Sequence, residues 1–270
     1  MTATTPRIPP QNPSLVRPAH VLAETLVDDD TLTISHYPGQ SDRVVVTFNS
    51  AGFSLWRDQP DEFIGLARGN RRNHVIAVTD RRRSWYSTPG LQKRITSTLK
   101  THIAGLNVAR ITTLGSSMGG HGALLFAERI GAETAIAFVP QFTMHSRIKE
   151  PRWTEMRGSL VDENLGTLRP RLTGATRAYC LFGARDKLDL KHLRWISRNC
   201  TVTSFLLDGF THELPRELKG RHILEGVVGA LLDEDMPWLD ALLGPMLVDD
   251  PRAGPDGAGQ RSGPGGGAAT

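Results

Sequence analysis

The sequence predicts an α/β fold: a mostly parallel, doubly wound sheet entered through an N-terminal β-hairpin. Three observations carry this. Short, almost uninterrupted apolar runs rich in β-branched residues recur along the chain, as strands covered on both faces do. Helical patterns alternate with them, which is the rhythm of a sheet with helices on both sides. The chain has 270 residues, of which 39% are hydrophobic and 22% charged, enough for one domain of 200–250 residues with a packed core.

The elements follow in order. Segments 20–27 and 31–37 read as a hairpin turning at Asp28-Asp29-Asp30. RVVVTFN (43–49) and HVIAVTD (74–80) read as buried strands. Between them Pro60, Asp61 and Glu62 open a helix to about Arg68, with acids in the first turn to suit the helix dipole. Thr88-Pro89 reads as N-cap and first position of the next helix. Its Leu91, Ile95, Leu99, Ile103 and Leu106 form one apolar stripe. Four more strands follow at 109–116, 134–140, 177–183 and 202–208. Helical patterns cover Met118–Ile130, closed by Gly131, then Lys187–Arg198 and Arg216–Leu232, with a last segment at Met236–Leu247.

Both ends differ from this body. Residues 1–18 form a Pro-rich irregular leader with no apolar core after a basic start, so no secretory signal is expected. The stretch 250–270 holds seven Gly and three Pro among its last twenty residues and predicts a disordered tail. The domain is expected over 19–249. No window of 18 apolar residues exists, so no membrane span is expected, and the default location is cytoplasmic. Net charge is +4, too small an excess for a nucleic-acid partner, although 26 of the 32 cations are Arg. Cys180 and Cys200 are too few for a disulfide framework and too far apart for a C-x-x-C site. No H-E-x-x-H, phosphate-binding loop or strand-linked G-x-G-x-x-G is present, so no metal and no cofactor are expected.

The sharpest feature is Gly115-Ser116-Ser117-Met118-Gly119-Gly120. It is a G-x-S-x-G centred on Ser117, preceded by a strand and followed by a helix. A nucleophile on a tight strand-to-helix turn needs small residues two before and two after it, so that strand and helix approach without a Cβ clash. The helix start then offers free N–H groups to an oxyanion, the Met118 amide first. Ser116 reads as a packing residue facing the sheet.

An order of Ser, Asp and His, each just past a strand, resembles the α/β-hydrolase superfamily over about 40–232. The stretch LGSSMGGHGALLFAERIGAETAIAFVPQF is also loosely similar to bacterial α/β hydrolases associated with polysaccharide and cell-surface gene sets. The resemblance implies a serine esterase and a catalytic acid in the loop after strand 177–183. Asp186 fills that place in GARDKLD, with Asp189 as the alternative, and Asp186 equally suits a helix N-cap. His212, four residues past the last strand, is the implied base. The second oxyanion N–H is implied in the loop after 43–49. It belongs to Ala51 when strand lengths are aligned, or to Phe53 when Gly52 is aligned, with the Ser50 hydroxyl nearby.

Around this triad, Arg81-Arg82-Arg83-Ser84-Trp85-Tyr86 follows a strand and so falls at the end of the sheet where ligands bind. Arg82 could grip an anionic group, and Trp85 and Tyr86 could stack on a sugar or flank an acyl pocket. A solvated charge run with an anchoring aromatic is the plainer alternative. Residues 141–174 leave room for only a minimal lid. The expectation is cleavage of a small-molecule or glycan-linked acyl ester. An acyltransferase with the same triad, or a non-catalytic binder on the same fold, is the alternative.

Overall fold

The computed structural model describes residues 23–52, 59–69, 72–145, 150–154, 162, 167–168 and 172–248. The leader, the tail and Phe53 lie outside the described residues. Eight strands form one sheet: β1 (Glu24–Asp28), β2 (Leu32–Tyr37), β3 (Arg43–Phe48), β4 (His74–Asp80), β5 (Arg110–Ser116), β6 (Thr134–Phe138), β7 (Arg177–Gly183) and β8 (Thr203–Leu207). Their order across the sheet is β1-β2-β4-β3-β5-β6-β7-β8. β1 and β2 pair antiparallel, β2 joins β4 antiparallel, and every other pairing is parallel.

The alternation of side chains along the strands divides the core into two layers. In β3, Val44, Val46 and Phe48 face one layer and Val45 the other; in β7, Ala178, Cys180 and Phe182 oppose Tyr179 and Leu181. The first layer is covered by α2 (Leu91–Ala104), α3 (Met118–Ile130) and α4 (Lys187–Asn199). The second is covered by α1 (Ile64–Arg68), α5 (Leu214–Gly220), α6 (Leu224–Asp233) and α7 (Met236–Leu243). Among the described residues no helix is long and apolar enough to cross a membrane.

The predicted strands are all present, each within a few residues of its expected limits. The helices depart from expectation at three places. The first begins only at Ile64, because Phe63 sits at φ 62 and the Asp61 and Glu62 carboxylates are used elsewhere. The Tyr37 and Ser50 hydroxyls donate to them. Thr88 does not cap α2; Gly90, at φ 80, precedes it instead. The single helix expected over Arg216–Leu232 breaks into α5 and α6 at His222, which has φ 59. Gly131 closes α3 in the left-handed conformation, as expected.

Candidate active site

The parallel strands end at a cleft of about 850 Å³. Its lining includes Ser50, Ala51, Ser117, Trp153 and His212, with Arg216 and His222 further along. Ser116 also lines it, so the last residue of β5 is not confined to packing. His222, placed mid-helix by its sequence pattern, reaches the cleft because the chain turns there.

Ser117 stands between β5 and α3 at φ 55, ψ −119, a conformation that costs a non-glycine residue about 1–3 kcal/mol. Three glycines make the turn possible. A Cβ on Gly115 would meet the Gly119 carbonyl oxygen at 2.2 Å, and one on Gly119 would meet that of Phe48 at 2.0 Å. One on Gly120 would come within 2.9 Å of the Phe138 oxygen. The same contact brings the exit of β3 against the start of α3, and Ala51 lines the same cleft as Ser117. Met118 is the first residue of α3, where a backbone N–H has no acceptor within the helix. The Ser117 amide itself donates to Phe138 O at 2.9 Å, which ties the turn to β6.

His212 Nε2 lies 3.0 Å from Ser117 Oγ. Its Nδ1 lies 2.9 Å from both carboxylate oxygens of Asp189. With Asp189 accepting the Nδ1 proton, Nε2 presents a lone pair to the serine hydroxyl. The carboxylate on His212 is therefore that of Asp189 and not that of Asp186. Asp186 caps α4, accepting from the amides of Leu188 at 2.8 Å and Asp189 at 3.0 Å. Asp189, in the first turn of the helix and 1% exposed, meets His212 there.

Two groups around this chain were not legible in sequence. The Gln141 side-chain amide donates to Ser117 Oγ at 2.8 Å, while its oxygen accepts from Trp85 Nε1 at 3.2 Å. The indole is a donor only, so it fixes which end of the amide faces the serine. Arg152 donates to Asp189 at 2.8 Å, to Asp186 at 3.2 Å and to Glu150 at 2.7 Å. Glu150 in turn meets His192 Nε2 at 3.1 Å, and His192 Nδ1 accepts from the Phe142 amide at 3.1 Å. Burial opposes ionisation of Glu150, yet hydrogen bonds from His192 and Arg152 outweigh it and hold the carboxyl well below the ordinary range. Both groups come from the stretch after β6, whose residues show no motif.

The run after β4 is built differently from its sequence reading. Trp85 and Tyr86 are fully buried, so neither is free to stack on a ligand. Tyr86 packs edge-on to Phe48 and Phe126, with ring centroids 6.0 and 5.2 Å away. Arg82 is exposed and is not among the residues that line the cleft. Arg81 pairs with Asp28 at 2.9 Å, and the buried Arg83 donates to Ala51 O at 2.7 Å. The Asp80 carboxylate organises the turn by accepting from the amides of Ser84 and Tyr86. Burial nonetheless lifts its pKa above the ordinary value. The contribution of this run to the cleft is thus indirect: Arg83 steadies the loop of Ala51, and Trp85 steadies Gln141.

Ser50 does reach the cleft. Its hydroxyl donates to Glu62 at 2.5 Å, and its amide donates to the same carboxylate at 3.2 Å. Burial lifts the pKa of Glu62 despite those bonds. Asn49 clamps this loop, donating to Asp61 and Thr79 and accepting from the Glu62 amide.

Solved structures share this architecture. A capsule O-acetyltransferase of Neisseria meningitidis serogroup A matches with a TM-score of 0.61 at 18% identity, over 75% of this chain and 93% of that one. Thermogutta terrifontis esterase 2 matches at 0.59 and 17%, over 83% and 96%. The chain has the α/β-hydrolase fold. An esterase of Pyrobaculum calidifontis matches at 0.54 and 14%, over 80% and 86%. No protein-family model and no curated protein sequence matches the chain. The neighbours on this fold thus include both esterases and an acyltransferase.

Proposed function

We propose that the chain is a serine hydrolase that cleaves a carboxylic ester, small or glycan-linked, through an acyl-enzyme. The supporting observation is the continuous hydrogen-bonded line from Ser117 through His212 to Asp189. In this reading His212 Nε2 takes the hydroxyl proton as Ser117 Oγ bonds to the ester carbonyl carbon. The carbonyl π electrons move to oxygen, and the Met118 and Ala51 amides receive that oxyanion. The buried Asp189 stabilises the imidazolium. As the oxyanion collapses, the alkoxy group leaves with the proton from His212. Water then adds to the acyl carbon with His212 again as base, and the acid departs as Ser117 Oγ regains its proton. Gln141, which donates to the serine oxygen in the resting site, holds that oxygen in line.

A second reading follows from the O-acetyltransferase among the neighbours. An acceptor alcohol replaces water in the second half, and the first half is unchanged. A fluorophosphonate probe tests the shared half: the wild type is expected to label, and Ser117→Ala is not. Absence of label together with absence of ester turnover would overturn both readings. Product analysis with a polyol acceptor separates them, since transfer yields a new ester and hydrolysis yields free acid.

A further inference from the structure

The far edge of the sheet carries a second cluster of chemistry-bearing side chains. β1 is the edge strand, and Glu24 lies directly opposite His36 on β2. His36 is opposite Ile76 on β4, which puts His74, two residues earlier, on the same face and diagonal to it. The last turn of α2 sets His102 over this row. His36 Nδ1 lies 3.0 Å from His102 Nε2 and 3.4 Å from Glu24 Oε2. The three ligand-type atoms all fall within 4.8 Å of one another.

The tautomers are set by the surroundings. His74 Nδ1 accepts from the Gly39 amide at 3.3 Å, so it is an acceptor toward His36 Nε2 as well, 3.1 Å away. The proton of neutral His36 is then on Nε2, and its Nδ1 lone pair faces His102 and Glu24. A metal-bound histidine is held in this way, with one ring nitrogen turned to the ion and the other N–H donated to a fixed partner. A tetrahedral ion with ligands at about 2.0–2.1 Å separates its ligand atoms by about 3.3–3.4 Å. The spacings around His36 are close to that. His36 is nearly buried, whereas Glu24 is 61% exposed, which leaves the ion a route from solvent.

We propose that Glu24, His36 and His102 form a site for a divalent transition-metal ion of the Zn²⁺ class, with His74 orienting His36. Two imidazoles and one carboxylate suit Zn²⁺ better than Ca²⁺ or Mg²⁺, which prefer all-oxygen shells. A water completes the shell. The sequence gives no warning of the site, because its ligands come from 24, 36 and 102 and meet only through strand register and helix docking. Its role is structural. α2 already holds the edge hairpin at its other end, where Arg94 pairs with Asp29 at 2.5 Å. An ion between β1, β2 and α2 clamps the near end and ties down an edge strand, the element otherwise free to fray or pair with another chain. The cluster lies at the entry end of β4, away from the strand exits that carry Ser117.

Calorimetric titration of the chelator-treated full chain with ZnCl₂ tests this. The wild type is expected to bind one ion, to melt at higher temperature in its presence, and to show a tetrahedral visible spectrum with Co²⁺. Glu24→Gln and His102→Gln, at positions that are not buried, are each expected to weaken binding at least tenfold and to abolish the thermal shift. His74→Ala is expected to weaken it by about 10–100-fold, the usual effect of losing an orienting partner. No binding by the wild type, or unchanged affinity in Glu24→Gln and His102→Gln, would overturn the proposal. Fluorophosphonate labelling of Ser117 reads the catalytic proposal separately, and neither result depends on the other.

Discussion

The turns that follow β5 and β4 leave the same end of the parallel strands, and both hold non-glycine residues in the left-handed region. After β5 the strained residue is Ser117 at φ 55; after β4 they are Arg83, Trp85 and Tyr86 at φ 51, 50 and 60. The use made of the strain is opposite. At Ser117 glycines on both sides remove bulk, and the side chain is left at the cleft wall. In the second turn Asp80 gathers the chain inward, and two large aromatic side chains are driven into the core. Strain alone therefore does not mark a reacting group. What separates the two is which side chain the strain delivers to open space, and what meets it there.

Replacement of the delivered side chain should have the largest effect. Ser117→Ala is expected to lower ester turnover by about 10⁴–10⁶-fold, read as kcat, with the melting temperature unchanged or raised. The second turn should answer in stability instead. Trp85→Ala removes a fully buried indole and is expected to cost about 3–5 kcal/mol in urea unfolding. It should also loosen Gln141, so that the activity of the fraction still folded falls.

The buried acid network that supports the site should be visible in acid. The Glu150 pKa is depressed in the folded protein, so its stabilisation is complete above the ordinary Glu value of about 4.3 and is lost as pH falls below it. Glu150→Gln is expected to flatten the stability–pH curve in that range and to lower stability at pH 7, both measurable by urea unfolding at a series of pH values. Arg82→Ala should do least. An exposed residue outside the cleft is expected to shift stability by no more than about 0.5 kcal/mol. Its kcat/KM for anionic and neutral esters should stay the same, where a substrate-gripping Arg82 would favour the anionic ester.

How much of this was legible follows the range of the interactions. The strands and the serine turn are local: apolar runs and a five-residue glycine pattern specify them within a few neighbours. His212 was legible because it sits close behind the last strand. The acid was ambiguous because Asp186 and Asp189 lie in one helical turn, and which of them caps α4 and which reaches His212 depends on how the helix docks. Trp85 and Tyr86 read as ligand-facing aromatics because the pull of Asp80 on the amides of Ser84 and Tyr86 leaves no periodic trace. Gln141, Arg152 and Glu150 belong to an irregular stretch whose side chains also bond partners 24 to 56 residues away in the chain. The histidine cluster at the hairpin edge is the extreme case, assembled by strand register and the docking of α2.

The assignment of the acid is where the proposed relay is most exposed, and one paired measurement reaches it: kcat/KM of Asp189→Asn and Asp186→Asn on p-nitrophenyl acetate. Asp189→Asn is expected to lose about 10⁴-fold, as when the partner of a catalytic histidine can no longer hold its tautomer. Asp186→Asn, still able to cap α4, should stay within about threefold of wild type. Equal losses, or a larger loss at Asp186, would contradict the relay through Ser117, His212 and Asp189.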